Sequence, residues 1–323
     1  MKAEPEYDES GPGDVLPSPT PEELSDGIVR LLAEVDEAFE SDRWAILDRG
    51  TEHVRWLMYD GAVLRHCCRL LYEMEVAAAA NLELAVRLLA RAHLEAWFVG
   101  LYIHYGGIEA VERVAQDTRY SLEGTQNDAS QFDQWLAAEQ KSARKRVKKV
   151  ERANKGIEQW NEAHPDAPAK PLLDQPYVPQ LQPTGLDLSD RIAAFGDYEA
   201  RPLPVSEIVD ALSKLAPEKG FGLESFRPLY VIYRVLSSIG THASLNILEA
   251  YLVPGKPGGF IRIASLPING SMIDNARITA LHATAFLARA VLGEQGSSTP
   301  VADEIADWLR PDPSGRAAWA PGV

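Results

Sequence analysis

One short stretch of the chain, YRVLSSIGTHAS at residues 233–244, concentrates side chains that could do chemistry. Residues three or four apart share a helix face, so Arg234 lies beside Ser237, and Ser238 lies beside His242. Arginine binds phosphates and carboxylates with a planar fork of donors, and a neutral histidine can act as a general base. Arg234 and His242 are roughly 12 Å apart along a continuous helix, so they would meet through a ligand rather than directly.

Gly240 offers a second geometry for this stretch. The helix could end there and a new helix begin with Thr241 as its N-cap, which leaves His242 in the first turn. The positive end of a helix disfavours imidazolium, so His242 would stay neutral. Asn246 and Glu249 then follow on the same face and would orient the ring. A structural alternative stays open, in which the arginine and the histidine are buried and bond to kinked backbone.

A second polar pattern lies on the most apolar helix that the sequence predicts, residues 81–105. Charged side chains occur there at every fourth position: Glu83, Arg87, Arg91 and Glu95. Two interpretations stay open. The stripe is the solvent face of the helix, with ion pairs worth about 0.2–0.5 kcal/mol each, or Arg91 and Glu95 turn inward toward Arg234 and His242. In the second case we predict a polar pocket, whose binding residues are Arg91, Glu95, Tyr233, Ser237, Ser238, Asn246 and Glu249.

The two motifs together resemble a known group of proteins. An RxxxE helix with Arg91 and Glu95, followed by a YRxLSxxxxH helix at residues 233–242, is similar to a family of uncharacterised bacterial all-helical proteins. That family looks like distant kin of the HEPN superfamily. The resemblance covers residues 50–120 and 220–290, and it implies a helical bundle that is often dimeric.

Many HEPN proteins are metal-independent ribonucleases that use an arginine and a histidine four to six residues apart. By this resemblance Arg234 would steady the scissile phosphate and His242 would serve as acid or base. Here seven residues separate the two, and Gly240 is one of them. Other members of the superfamily are inactive binding or assembly modules, which the longer spacing suits. We therefore carry two hypotheses: a non-enzymatic binding or regulatory module, and a ribonuclease of the toxin or defence type.

The charge of the chain is acidic overall but basic in one stretch. The formal net charge is −15, which generally repels nucleic acid and anionic membranes. Between Lys141 and Lys155, however, eight cations accompany one acid, Glu151. We predict a projecting helix over 132–160 whose charges lie all round it, either solvated or bound to RNA or an acidic partner. The run has no interleaved aromatic residues that would stack on bases.

Several classes of site have no signature in the sequence. There is no Walker A loop, GxGxxG, HExxH or GxSxG motif. His66, Cys67 and Cys68 are consecutive in a predicted helix, so they cannot converge on one metal ion. We expect no metal and no cofactor. The two cysteines point about 100° apart and cannot form an ordinary disulfide, which favours a cytoplasmic protein.

Neither the N-terminal segment nor the most apolar segment of the chain predicts a membrane protein. The first twenty residues are acidic and proline-rich, without the basic start and apolar core of a secretory signal. The apolar segment 82–105 carries too many charges for a bilayer span. We expect no membrane segment.

Helical periodicity predicts a mainly α fold, a helical bundle with a long proline-rich excursion and one short β-hairpin in YLVPGKPGGFIRIA. Gly106 and Gly107 should end the apolar helix, and a polar break is expected at 124–128. That helix is too apolar to be covered by its sequence neighbours alone, so we expect one composite core and consider a homodimer. The predicted segments are a lead-in at 1–20, a bundle at 21–160, the excursion at 161–204, packing helices at 205–310 and a tail at 311–323.

Overall fold

The computed structural model describes residues 19–40, 52–215, 227–240, 252–253, 262–263 and 270–307. Over these residues the protein is mainly α-helical, as the periodicity predicts. The helices are α1 (Pro21–Glu40), α2 (Glu52–Ala79), α3 (Glu83–Ala163), α4 (Ser189–Ala193), α5 (Val205–Leu215), α6 (Arg227–Gly240), α7 (Gly270–Glu294) and α8 (Pro300–Asp307). Strands β1 (Leu252–Val253) and β2 (Arg262–Ile263) pair antiparallel where the sequence predicts a hairpin.

The start of α1 shows how local sequence sets a helix boundary. The Thr20 hydroxyl accepts from the Glu23 N–H at 3.2 Å, and the Glu23 carboxylate accepts from the Thr20 N–H at 2.8 Å. This reciprocal capping box satisfies two backbone donors, and Pro21 between them suits the first helical position. The apolar face of the helix is buried at Leu24 and Ile28. The helix therefore begins where its sequence predicts.

The described chain forms two compact units, and the first contains residues up to Val111 and from Leu203 onward. Its centre is α7, which packs against α1, α2 and α8. Close packing also depends on Gly100 of α3. A Cβ added there would lie 2.9 Å from Val63 Cγ1 of α2 and 3.0 Å from Leu287 Cδ2 of α7. The missing side chain lets three helices approach each other closely.

A buried network of charges joins α1, α2 and α7 in this unit. Arg277 donates to the Glu75 carboxylate from Nε at 2.8 Å and from Nη2 at 2.7 Å. The guanidinium also donates to Ser25 Oγ at 2.8 Å and to Asp274 Oδ1 at 3.1 Å. The Ser25 hydroxyl in turn donates to Glu75 at 2.6 Å. Each nitrogen of the arginine therefore has an acceptor.

The helix α3 is interrupted inside the first unit. The backbone of Gly107 has φ 62° and ψ −146°, a conformation that is reserved for glycine, and helical structure resumes after it. The predicted end at Gly106 and Gly107 is thus a kink within a longer helical element. No helix within the described ranges is both long and apolar enough to cross a membrane.

The second unit contains residues 112–202, and α3 continues through it without a break. The predicted break at 124–128 is wrong. A single Gly124 costs a helix only about 1 kcal/mol, and Gln126 is held from outside the helix. Its side-chain oxygen accepts from the Leu188 N–H at 2.6 Å, and its amide donates to the Leu186 carbonyl at 3.2 Å.

The proline-rich segment 164–188, here called the strap, runs back along α3. Asn161 bonds both backbone groups of Lys170, at 3.0 and 2.9 Å, and Asn154 bonds both backbone groups of Leu173, at 2.9 and 2.7 Å. The other rungs are Gln140 to the carbonyls of Pro179 and Leu181, Asp133 to the N–H of Thr184, and Gln126 to Leu186 and Leu188. We call these five helix residues the polar ladder. As the residue numbers of the rungs fall, the residue numbers of their partners on the strap rise. The strap is therefore antiparallel to the helix.

The rungs of the polar ladder are spaced by seven residues or a multiple of seven. Together they span a length of helix that equals the length of the extended strap. From Gln126 to Asn161 the helix rises roughly 52 Å at about 1.5 Å per residue. The strap covers the same rungs with about 17 residues, or roughly 53 Å at the 3.1 Å rise of polyproline II. Buried Ala129, Leu136 and Ala143 lie three residues after successive rungs. An extended, proline-fixed chain therefore covers one seam of the helix.

Candidate functional site

The structure brings together three residues of the two predicted motifs. Arg91 on α3 donates from Nε to Ser237 Oγ on α6 at 3.0 Å. Its guanidinium carbon lies 5.9 Å from the centre of the Tyr233 ring. Tyr233 and Ser237 are four residues apart on α6, so both can face α3. The RxxxE and YRxLSxxxxH motifs thus meet across two helices.

Aromatic rings anchor α6 beside this contact. The rings of Tyr230 and Tyr233 stack with centroids 6.2 Å apart and an interplanar angle of 16°. Both rings lie nearly perpendicular to the ring of buried Phe98 on α3, with centroids 6.4 Å away. Since Arg91 meets Ser237 and Phe98 meets Tyr230, α6 runs antiparallel to α3 here. Ring packing therefore holds the arginine and the serine in register.

The charged stripe on α3 is half-buried rather than a solvent face. Glu83 forms an ion pair with Arg87, and each side chain is about one-fifth exposed or less, at 15% and 21%. Arg91 and Glu95 are also half-buried. Within the described part of the chain, the two Nη groups of Arg91 and the carboxylate of Glu95 form no hydrogen bond or ion pair. Glu83 and Arg87 therefore neutralise each other, whereas Arg91 and Glu95 do not form an ion pair.

Arg234 makes no contact with this cluster among the described residues. Arg234 lies exposed on α6. The Ser238 side chain, His242, Asn246 and Glu249 lie outside the residues whose side chains are described.

A buried acid–base pair was missed by the sequence reasoning. Asp60 on α2 is fully buried, and its Oδ2 lies 2.8 Å from His104 Nδ1 on α3. Burial raises the pKa of Asp60, while the hydrogen bond to His104 acts in the opposite direction. The other oxygen, Oδ1, has no hydrogen-bond partner in the part of the chain that the structure describes. The burial of Asp60 could have been predicted from its position, because it falls on the same helix face as buried Leu57 and Leu64.

A second histidine is buried between α3 and α7. His93 Nε2 lies 2.7 Å from Thr284 Oγ1, and that hydroxyl donates its one hydrogen to the Ala280 carbonyl at 2.9 Å. The Nε2 atom of His93 is therefore paired with the hydroxyl, whereas its buried Nδ1 has no hydrogen-bond partner among the described residues. Burial lowers the pKa of His93 to about 3. The ring is a neutral part of the core.

A groove of about 610 Å³ lies between α3 and α5 in the first unit. Its walls carry two tyrosines, three carboxylates and one lysine: Tyr102, Tyr105, Glu109, Glu207, Asp210 and Lys214. Burial raises the pKa of Tyr105 to about 12, and the charge of Asp60 adds to this effect. The sequence reasoning did not identify this groove because its walls come from segments about a hundred residues apart.

The basic stretch of α3 is arranged differently from the expectation. All eight cations between Lys141 and Lys155 are exposed. Counting about 100° per residue, seven of them fall within an arc of roughly 140°. Arg146 lies outside that arc and pairs with Glu139 at 2.6 Å. The prediction that the charges lie all round the helix is wrong, because the spacing of these seven cations confines them to one side.

The described residues contain neither a candidate metal site nor an exposed thiol. No group of three or more His, Cys, Asp or Glu side chains in those ranges could hold a metal ion. Cys67 and Cys68 are free and buried. Burial raises the pKa of both thiols, that of Cys68 to about 12.

Comparisons with protein-family models, with curated proteins and with solved structures find no match. The case for a function therefore depends on the geometry of the sites.

Proposed function

We propose that the protein is a non-enzymatic binding module that holds the anionic group of a small ligand at Arg91. One observation carries this proposal: Arg91 is fixed through Nε to Ser237 while its Nη groups have no partner among the described residues. A guanidinium fixed in this way presents a pre-organised fork that matches a carboxylate or a phosphate. Tyr233 below it limits the rotation of the fork.

The buried titratable groups support binding over catalysis. A general acid or base must reach its reactant. Asp60 and His104 are bonded to each other in the interior, and His93 is enclosed in the core. The Nη groups of Arg91 and the carboxylate of Glu95 are half-buried and form no ion pair with other described residues, so they are suited to recognition by charge.

Isothermal titration of the full-length protein tests the Arg91 site, with inorganic phosphate, acetate and AMP as probes. We expect at least one probe to bind, and Arg91→Gln to weaken its affinity by about tenfold or more. Arg87→Gln is the matched control, because Arg87 lies one turn earlier and pairs with Glu83. Binding of none of the three probes, or equal binding by the Arg91 variant, would overturn the proposal.

A HEPN-like ribonuclease is the second candidate, and the exposure of Arg234 favours it. A catalytic arginine must be accessible to the phosphate of the substrate. The test is cleavage of end-labelled RNA in EDTA by the wild-type protein and by Arg234→Ala and His242→Ala variants whose folding is checked by circular dichroism. EDTA-resistant cleavage that both variants lose would establish the nuclease. Cleavage that the variants retain would exclude this site.

For the basic helix we propose RNA backbone as the partner, supported by seven exposed cations on one side that form no ion pair with described residues. In filter binding of a single-stranded RNA, the logarithm of affinity should fall linearly with the logarithm of salt concentration. Lys145→Gln with Lys148→Gln should reduce that slope by about 1.4, or about 0.7 for each cation. Arg69→Gln with Lys214→Gln, at two exposed positions elsewhere, is the charge-matched control.

Two predictions about the surroundings of the protein stay proposals. Homodimer formation is tested by sedimentation equilibrium at micromolar concentrations. A cytoplasmic location is supported by two free thiols, since reducing compartments keep cysteines unpaired.

A further inference from the structure

We propose that the groove between α3 and α5 binds a small organic ammonium cation. None of its wall residues belongs to the Arg91 cluster, so this is a second site with the opposite charge preference. Its volume of about 610 Å³ is within the range of small-molecule sites.

The charge of the walls selects a cation. Glu109 and Asp210 are exposed and form no ion pair with other described residues, and Glu207 adds a third carboxylate. Lys214 is the only cation among the lining residues and pairs with none of these acids in the described structure. Three acids against one base leave the groove negative. An anion would be repelled, and a cation would gain Coulomb energy from more than one carboxylate.

The tyrosines make the preferred cation an organic one. Tyr102 and Tyr105 lie one turn apart on the α3 wall. Aromatic rings attract alkylammonium groups through their quadrupoles, and they also pack against the carbon atoms of the ligand. A bare metal ion would want several oxygen ligands converging on one point. No such group of acidic and other metal-binding side chains is present in the described ranges.

The kink in α3 shapes this groove. Tyr102 and Tyr105 precede Gly107, whereas Glu109 follows it. At the bend, a Cβ added to Gly106 would lie 2.7 Å from the Cβ of Ala110, so the chain turns tightly there. The kink places a carboxylate and a tyrosine pair on one groove wall.

Titration calorimetry of the full-length protein with choline and with putrescine tests the proposal. The neutral isostere of choline, 3,3-dimethylbutan-1-ol, is the ligand control. We expect at least one cation to bind, and choline, if it is that cation, to bind at least tenfold more tightly than its isostere. Failure of both cations to bind, or equal affinity for choline and its isostere, would overturn the proposal.

Variants locate the binding in the groove. Glu109→Gln with Asp210→Asn should weaken cation affinity by about tenfold, since both side chains are exposed and their loss should not unfold the protein. Glu22→Gln with Glu37→Gln changes the net charge equally at exposed sites on α1 and should leave the affinity unchanged. An equal effect of the two pairs would show that only the overall charge matters and would refute the site.

A second pair of variants tests the rings. Tyr102→Phe keeps the aromatic ring and should keep cation binding, whereas Tyr102→Leu should lose it while circular dichroism remains that of the wild-type protein. Retained binding in the leucine variant would contradict the role of the ring. Arg91→Gln should bind the cation normally, so failure of the anion site leaves this proposal standing.

Discussion

Arg277 is bonded through each of its nitrogens to an acceptor, and its side chain is only 6% exposed. Replacing it with alanine would leave Glu75 largely buried without its counter-ion. Breaking a buried pair from one side costs about 3–5 kcal/mol, so we expect a loss of this order in the free energy of unfolding in urea. Arg69→Ala, in an exposed pair with Glu73, should cost less than about 1 kcal/mol. Similar losses in the two variants would contradict the role of the network.

Two histidines should make stability depend on pH. Burial lowers the pKa of His93 to about 3 and that of His282 to about 4, while both titrate near 6.5 in the unfolded chain. Below pH 6.5 the unfolded state therefore binds protons that the native state does not. The free energy of unfolding should fall with decreasing pH, by up to about 1.4 kcal/mol per pH unit for each histidine.

The matched comparison is His282→Gln against His164→Gln, since His164 is exposed. Urea unfolding at pH 7, 6 and 5 should show a shallower decline in the first variant and the wild-type decline in the second. Identical slopes in the two variants would show that folding does not lower the pKa of His282.

At the scale of residues, part of the candidate site could be predicted from the sequence. The motif spacing pointed to Arg91, Tyr233 and Ser237, which do meet in space. Asp60 and His104 could not be paired in advance, because they lie on different helices and nothing local relates them. Sequence spacing places side chains on a face of one helix, whereas packing between helices decides which faces touch.

At the scale of elements, three glycines of α3 should respond to alanine with opposite signs. Gly124 and Gly156 are helical, with no other atom within 4 Å of an added Cβ, so alanine should stabilise the protein by about 0.5–1 kcal/mol at each. Gly107 has positive φ, so alanine there should cost about 1–3 kcal/mol. Urea unfolding measures all three. Stabilisation by Gly107→Ala would refute the kink.

Most helix boundaries could be predicted because their signals are local. The capping residues of α1 and the periodic pattern of α7 give both helices within a few residues of the observed ends. The polar ladder was not predicted, although its seventh-residue spacing is visible in the sequence, because its hydrogen bonds join residues up to 62 positions apart. A pattern search for buried apolar repeats has no reason to select half-buried Asn and Gln.

At the scale of the whole molecule, we expect the two compact units to open separately. Asn154→Ala with Asn161→Ala removes four hydrogen bonds to the strap, each worth about 0.5–1.5 kcal/mol. Chymotrypsin should then cut after Tyr177, which is 76% exposed, about tenfold faster or more. Labelling of buried Cys67 and Cys68 in the first unit by a thiol reagent should keep its wild-type rate.

Gln131→Ala, at an exposed position of the same helix, is the control and should alter neither rate. If the double variant accelerates thiol labelling as much as cleavage, the units open together and the division of the molecule has no energetic meaning.

The polar ladder also has a consequence for how such a sequence can diverge. Its rungs bond backbone atoms of the strap, and apart from Pro179 and Leu188 no residue from 164 to 188 is buried. Substitutions on the strap should therefore accumulate freely as long as its length and extended form persist. The helix has no such freedom at its rungs, where each amide or carboxylate serves a fixed backbone position. In distant relatives, the helix should keep polar residues at the rung positions, which are seven residues or a multiple of seven apart. This pattern should persist even where the strap has lost all sequence similarity.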